Sequence, residues 1–162
     1  MPPSPCDRNG SPKPTNPQAA NQDEQHTWPP AMLRLVMAAQ PAALSLIRDR
    51  LRAWLRAHRW PEGELVDLVL AVDEAASNVV DHAYLTTGPG NIEIDAHITA
   101  VSDSDRLAEL IICDRGRWRP KPEQPNNRQR GILLMRTAVA LLTIHGTDQG
   151  TSVRMRSRSV NR

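Results

Sequence analysis

The stretch Ala71-Val72-Asp73-Glu74-Ala75-Ala76-Ser77-Asn78-Val79-Val80-Asp81-His82 constrains this chain more than any other part of it. At about 100 degrees per residue, with Glu74 as the origin, Asn78 falls at about 40 degrees and Asp81 at about −20 degrees. Leu65, Leu68, Val72, Ala76 and Val79 gather on the far side, between roughly 120 and 200 degrees. A helix divided in this way can be buried along one stripe and still hold a carboxylate beside an amide one turn away. That pairing offers an oxygen ligand for a hard cation and a base close to it. On an exposed face the same residue types usually do no more than meet solvent, so the helix alone does not decide a function.

At 162 residues the chain suits one domain with a substantial core. That core has no Phe and a single Tyr to draw on, so Leu, Val, Ile, Ala and four Trp must fill it. Lys13 and Lys121 are the only lysines, and a formal charge of +2 gives no argument for nucleic acid. Arg154, Arg156, Arg158 and Arg162 read as one solvated strand face. Cys6 lies in a polar tail and Cys113 ends an apolar run, which supports neither a disulfide between them nor a zinc site. Cys113 reads as a small core residue. No segment approaches the ~18 consecutive apolar residues of a membrane span, and the start lacks a basic stretch followed by an apolar one. A cytoplasmic protein without membrane contact is expected.

Residues 1–30 are rich in Pro, Asn, Gln and Asp and read as a disordered leader, with one domain over 31–162. Leu33 to Met37 fits a strand. Pro41 suits the first turn of a helix, where a missing N–H costs nothing, and Leu44, Ile47, Leu51, Trp54 and Leu55 continue it. His58 to Gly63 interrupts the pattern before the Glu74 helix. A loop at Thr86 to Gly90 leads into the alternating strand Ile92 to Ile98, a turn at Asp103 to Asp105, and a second strand from Leu107 to Cys113. Arg115 to Gln129, rich in Pro, Asn and Arg, is expected to be irregular. Helical spacing resumes at Ile132, Met135, Val139 and Leu142, and strands at Ile144 and Thr151 to Met155 close the chain. This order predicts a two-layer α/β sandwich, a mostly antiparallel sheet covered by helices.

Other residues carry candidate chemistry. Asp114 ends a buried strand just before Arg115-Gly116; its carboxylate can accept from an exocyclic amine, and Gly116 permits close backbone approach. The ordinary reading is a strand-end turn. Arg130-Gly131-Ile132 is expected to open a helix and offer unpaired N–H groups to phosphate oxygens. Gly150-Thr151 is a turn followed by a strand. His82 fills the helix end beside Tyr84; His26, His58 and His97 read as solvent-facing or locally hydrogen-bonded, and Trp54 and Trp60 as packing residues.

In order and context these pieces resemble the ATP-binding domain of the histidine-kinase, gyrase and heat-shock-protein superfamily, and within it the bacterial anti-sigma factor serine/threonine kinases. The likeness covers about Leu33 to Arg158. Glu74-Ala75-Ala76-Ser77-Asn78-Val79-Val80-Asp81-His82-Ala83-Tyr84 matches that family's E-A-x-x-N-x-x-x-H-A-Y box. The resemblance implies ATP and Mg²⁺ as ligands, with Glu74 as general base towards a substrate serine and Asn78 as the magnesium ligand. It further implies that Asp114 binds the adenine amine, Gly116 lies beneath the base and Thr151 assists near it. Residues 118–130 would be the lid over the phosphates, with Gly131 at its hinge. The implied partners are an anti-sigma factor antagonist and a sigma factor; a homodimer is left open, and no direct nucleic-acid contact is expected.

Two positions depart from the family pattern. Trp118 stands where the D-x-G-x-G box has its second Gly, and Gln129 where the G-x-G box has its first. Neither tolerates positive φ or close approach as glycine does. Arg128 or Arg130 would then supply side-chain donors to phosphate. The competing reading is a non-catalytic module that binds nucleotide, or none, and acts by sequestering partners.

Overall fold

The computed structural model describes residues 31–85, 88–117 and 127–161, and the side chains of all of these except 127–129. Strand β1 (Met32–Ala38) alternates strictly, turning Leu33, Leu35 and Met37 towards the core and Met32, Arg34 and Val36 outwards. Helix α1 (Pro41–Ala57) begins at Pro41 as the sequence predicts, and buries Ile47, Leu51, Trp54 and Leu55. Helix α2 (Glu62–Asn78) buries Leu65, Leu68, Val72 and Ala76, the stripe read from its period. Fully burying each Leu or Val contributes about 1.5–3 kcal/mol, enough to fix which way α2 faces.

The α-helical winding stops at Asn78, and Val79–Ala83 follow as one π-helical turn that keeps Val79 and Ala83 buried. Strands β2 (Asn91–Ala100), β3 (Asp105–Asp114), β4 (Leu141–Thr147), β5 (Gly150–Arg156) and the short β6 (Val160–Asn161) complete a six-stranded sheet. Its order is β1-β2-β3-β5-β4, with β6 beside β3 and every pairing antiparallel. The core lies between this sheet and the helical layer, so the fold is the expected two-layer α/β sandwich. No helix among the described residues is long and apolar enough to cross a membrane.

Several local expectations are corrected. Helix α3 spans Asn127–Ala138, so Gly131 is its fifth residue and not its opening, and Leu142 belongs to β4. Met135, Val139 and Leu142 keep helical spacing across a bend because helix and strand both turn apolar residues to one core. Of the two alternatives for His58, the solvent-facing one is excluded: it is buried edge-on against Trp54, with ring centroids 5.3 Å apart. Cys113 is buried but disulfide-bonded. Cys6, the leader, Trp118 and most of the expected lid lie outside the described residues.

Candidate functional site

A cleft opens between α2, α3 and the sheet. Its floor is apolar, from Ala75, Val79, Ile112, Ile132, Met135, Ile144 and Val153, and its polar groups are Asn78, Asp114, Arg117 and Thr151. The cavity measures about 40 Å³. An apolar floor with a few convergent polar groups is the usual form of a small-molecule site.

Asp114 enters from the end of β3 and lies opposite Thr151 in the β3–β5 ladder. It is 5 % exposed, and its Oδ1 accepts the Gly116 N–H at 2.9 Å. That bond orders the turn after β3 and holds a carboxylate at the pocket wall. Gly116 is confined by the chain itself: a Cβ there would overlap the Ala83 carbonyl, which also accepts the Arg117 N–H at 2.9 Å. The π-helical turn is thus what Gly116 packs against, and no glycine is needed there for a positive φ. Gly150 does adopt one, at 142°, with the Asp114 carbonyl where a side chain would begin.

Tyr84 joins three segments. Its hydroxyl donates to the Asn91 carbonyl at 2.7 Å and accepts the Arg115 N–H at 2.9 Å. Gly90 has no room for a Cβ because the Tyr84 ring lies there. Burial is the largest cause pushing the Tyr84 phenol pKa above 10.0.

Glu74 is half-buried on α2, one turn before Asn78. Burial foremost, then the charges of Asp73 and Asp81, push its pKa above the ordinary 4.5. Asp73 itself is held by Arg48 of α1 at 2.8 Å. The Glu74 carboxylate does not line the cleft; it lies against Gly131 of α3.

Of the residues singled out from sequence, Asn78, Asp114 and Thr151 meet in the cleft, and Gly116 orders its edge. Glu74 and Gly131 meet each other beside it, while Arg130 is exposed and absent from its lining. His82 does not line it either. Arg117 was missed; the signal available was an Arg beside the glycine of the Asp114 turn. Among the described residues no group of three or more His, Cys, Asp and Glu could hold a metal ion. An Asn amide oxygen with substrate phosphates and water is a donor set that suits Mg²⁺, which seldom takes an all-protein cage.

The family model for the histidine kinase-like ATPase domain matches residues 37–157. Among solved structures, the chain resembles the RsbU and RsbW domains of Rv1364c from Mycobacterium tuberculosis at 25 % identity and a TM-score of 0.60, over 83 % of this chain and 34 % of that one. It thus spans about a third of that protein's length. The histidine kinase domain of the blue-light activated histidine kinase EL346 from Erythrobacter litoralis aligns at 19 % identity and a TM-score of 0.44, over 60 % of this chain and 48 % of that one.

Proposed function

This chain belongs to the histidine kinase-like ATPase domain family, and from that premise we propose that it is an ATP-dependent serine/threonine protein kinase acting on an anti-sigma factor antagonist. By the same reading it sequesters a sigma factor, works in the cytoplasm, and has its catalytic domain over residues 31–162. The observation that carries the reading is the meeting of Asn78, Asp114 and Thr151 around one apolar-floored cleft. The E-A-x-x-N-x-x-x-H-A-Y box and the likeness to a chain containing an RsbW domain support the anti-sigma branch.

In this mechanism Asp114 accepts a hydrogen bond from the adenine amine, Thr151 lies opposite it in the ladder, and the apolar floor takes the base. The Asn78 amide oxygen would hold Mg²⁺, and that ion would supply charge neutralisation at the phosphates. Glu74 accepts the serine hydroxyl proton as the serine Oγ–phosphorus bond forms and the bond from the γ-phosphorus to the β-phosphate bridging oxygen breaks, releasing ADP. A pKa raised by burial makes Glu74 a stronger base than a solvated carboxylate. By the resemblance, Arg130 of α3 would supply a side-chain donor to the phosphates.

One observation favours the non-catalytic reading, a regulatory module that acts through protein contacts: the cavity in the cleft is about 40 Å³, room for a few waters but not for a base without opening. Calorimetry with Mg-ADP separates the two readings first. Transfer from labelled ATP to purified antagonist proteins follows, with Glu74→Ala as the control. The kinase reading expects Mg-ADP binding in both proteins and transfer in the wild type alone. Transfer by Glu74→Ala at the wild-type rate would remove Glu74 from the mechanism, and absence of nucleotide binding would leave the protein-contact module.

A further inference from the structure

Gly131 poses a question that the proposed nucleotide site does not answer. A glycine inside a helix is less favourable than alanine by about 0.5–1 kcal/mol, so its presence there needs a local cause. Backbone conformation is not that cause, because Gly131 is not among the positive-φ glycines of the described residues. Outside its own stretch of helix, the nearest atoms to a Cβ built at 131 all belong to Glu74 of α2: it would overlap Oε1 and stand 2.6 Å from Cδ and 3.0 Å from Cγ.

We propose that Gly131 is a positioning residue for Glu74, its missing side chain forming the seat that holds the carboxylate one turn from Asn78. The α2–α3 interface brings the bare Cα of α3 against the acid of α2, and the acid's own helix is fixed by the buried Ala71, Val72, Ala75 and Ala76. With its backbone so anchored, the Glu74 side chain has one direction filled by α3, and a methyl at 131 would force it into another rotamer. Locking a functional side chain by packing at its flank is what preorganises a reacting group. This role differs from a hinge or a phosphate contact, since it acts through Glu74 alone. The catalytic half rests on Glu74 being the base proposed above; the steric half does not.

The test is a double-mutant cycle on the full chain: wild type, Gly131→Ala, Glu74→Ala and the double variant, each followed by thermal melting. The seat predicts that Gly131→Ala lowers Tm when residue 74 is Glu and raises it when residue 74 is Ala, as relief of a helical glycine should. Equal shifts in both backgrounds would overturn it. Glu74→Gln, which keeps the shape and loses the charge, should leave the Gly131→Ala penalty in place. With Mg-ATP and purified antagonist proteins, Gly131→Ala is expected to cut transfer roughly 100-fold, the scale of a misplaced reacting group. Its Mg-ADP affinity should stay within about twofold, as for an interaction made only with the reacting group. A loss of nucleotide affinity large enough to explain the loss of transfer would assign Gly131 to the nucleotide and sink the seat. If Glu74→Ala transfers like the wild type, Glu74 is not the base and the catalytic half fails, while the melting cycle still decides the seat.

Discussion

The Tyr84 hydroxyl accepts the main-chain N–H of Arg115 at 2.9 Å, tying the end of the π-helical turn to the residue that follows Asp114. The same oxygen donates to the Asn91 carbonyl, so one phenol ties the residue after Asp114 to the start of β2. Tyr84→Phe keeps the ring against Gly90 and deletes both bonds. The expected loss is about 0.5–1.5 kcal/mol, since both bonds are exposed and the freed N–H and C=O can turn to water. Urea unfolding measures it, and calorimetry should show weaker Mg-ADP binding as Asp114 loses its brace. Unchanged stability and affinity would mean that the turn is held by other contacts.

The pKa of Glu74 gives a pH dependence with a defined sign. Its folded-state value lies above 4.5, through burial first and then Asp73 and Asp81. The folded protein therefore holds this proton more tightly than the unfolded chain, and stability falls as pH rises from about 4.5 through the raised value. Glu74→Gln removes that slope, so urea midpoints across the acid-to-neutral range should fall less steeply than in the wild type. Transfer runs the other way, because a general base must be deprotonated and activity climbs through the same raised value.

Asp73→Asn removes the second cause of the shift and leaves the first. The rising limb of transfer activity should move to lower pH, part of the way towards an ordinary carboxylate. Arg48, left without its partner 2.8 Å away, adds a favourable charge in the same direction. A pH–rate profile that does not move would show that Asp73 has no hold on the reacting group.

The helical period made the buried stripe of α2 legible, and with it the pairing of Glu74 and Asn78, because 3.6-residue spacing is written locally. Alternation did the same for β1 and β2. Leu142 was misread for the same reason: spacing alone does not separate a helix end from a strand that turns its residues to the same core, although Thr143 and Ile144 beside it have β character. The π-helical turn, the contact of Gly116 with Ala83 and the seat of Glu74 were not legible. Each depends on which backbone atoms of distant segments meet, and a glycine in a sequence does not say what lies above its Cα.

Arg117 is expected to contribute to nucleotide affinity. Its main chain is pinned to Ala83, it is exposed, and it lines the cleft beside Asn78. A charge-assisted hydrogen bond to phosphate or ribose contributes about 1.5–3 kcal/mol, so Arg117→Gln should weaken Mg-ADP binding roughly 10- to 100-fold. The wild-type affinity should also fall with added salt, and the variant's should fall less. Equal affinities at low salt would place the Arg117 side chain outside the bound state.

Gly150 is where fold and site are most tightly coupled. It opens β5 after a two-residue loop, pairs with Thr147, and sits at φ 142°, a conformation that L side chains rarely adopt. Space fails as well as conformation, because a Cβ would overlap the Asp114 carbonyl and lie 3.1 Å from the Arg115 Cα. Backbone atoms cannot swing aside as a side chain can, so Gly150→Ala must either strain the hairpin or push the end of β3. Strain at one such position costs roughly 1–3 kcal/mol, and displacement of β3 would move Asp114 away from Thr151, its partner in the ladder. The variant should therefore lose stability and Mg-ADP affinity together, whereas Asp114→Asn should lose affinity with a smaller effect on folding. Melting curves and calorimetry on both variants separate these outcomes. A Gly150→Ala protein that melts like the wild type and binds Mg-ADP normally would show that the close approach of β5 to Asp114 does not shape the cleft.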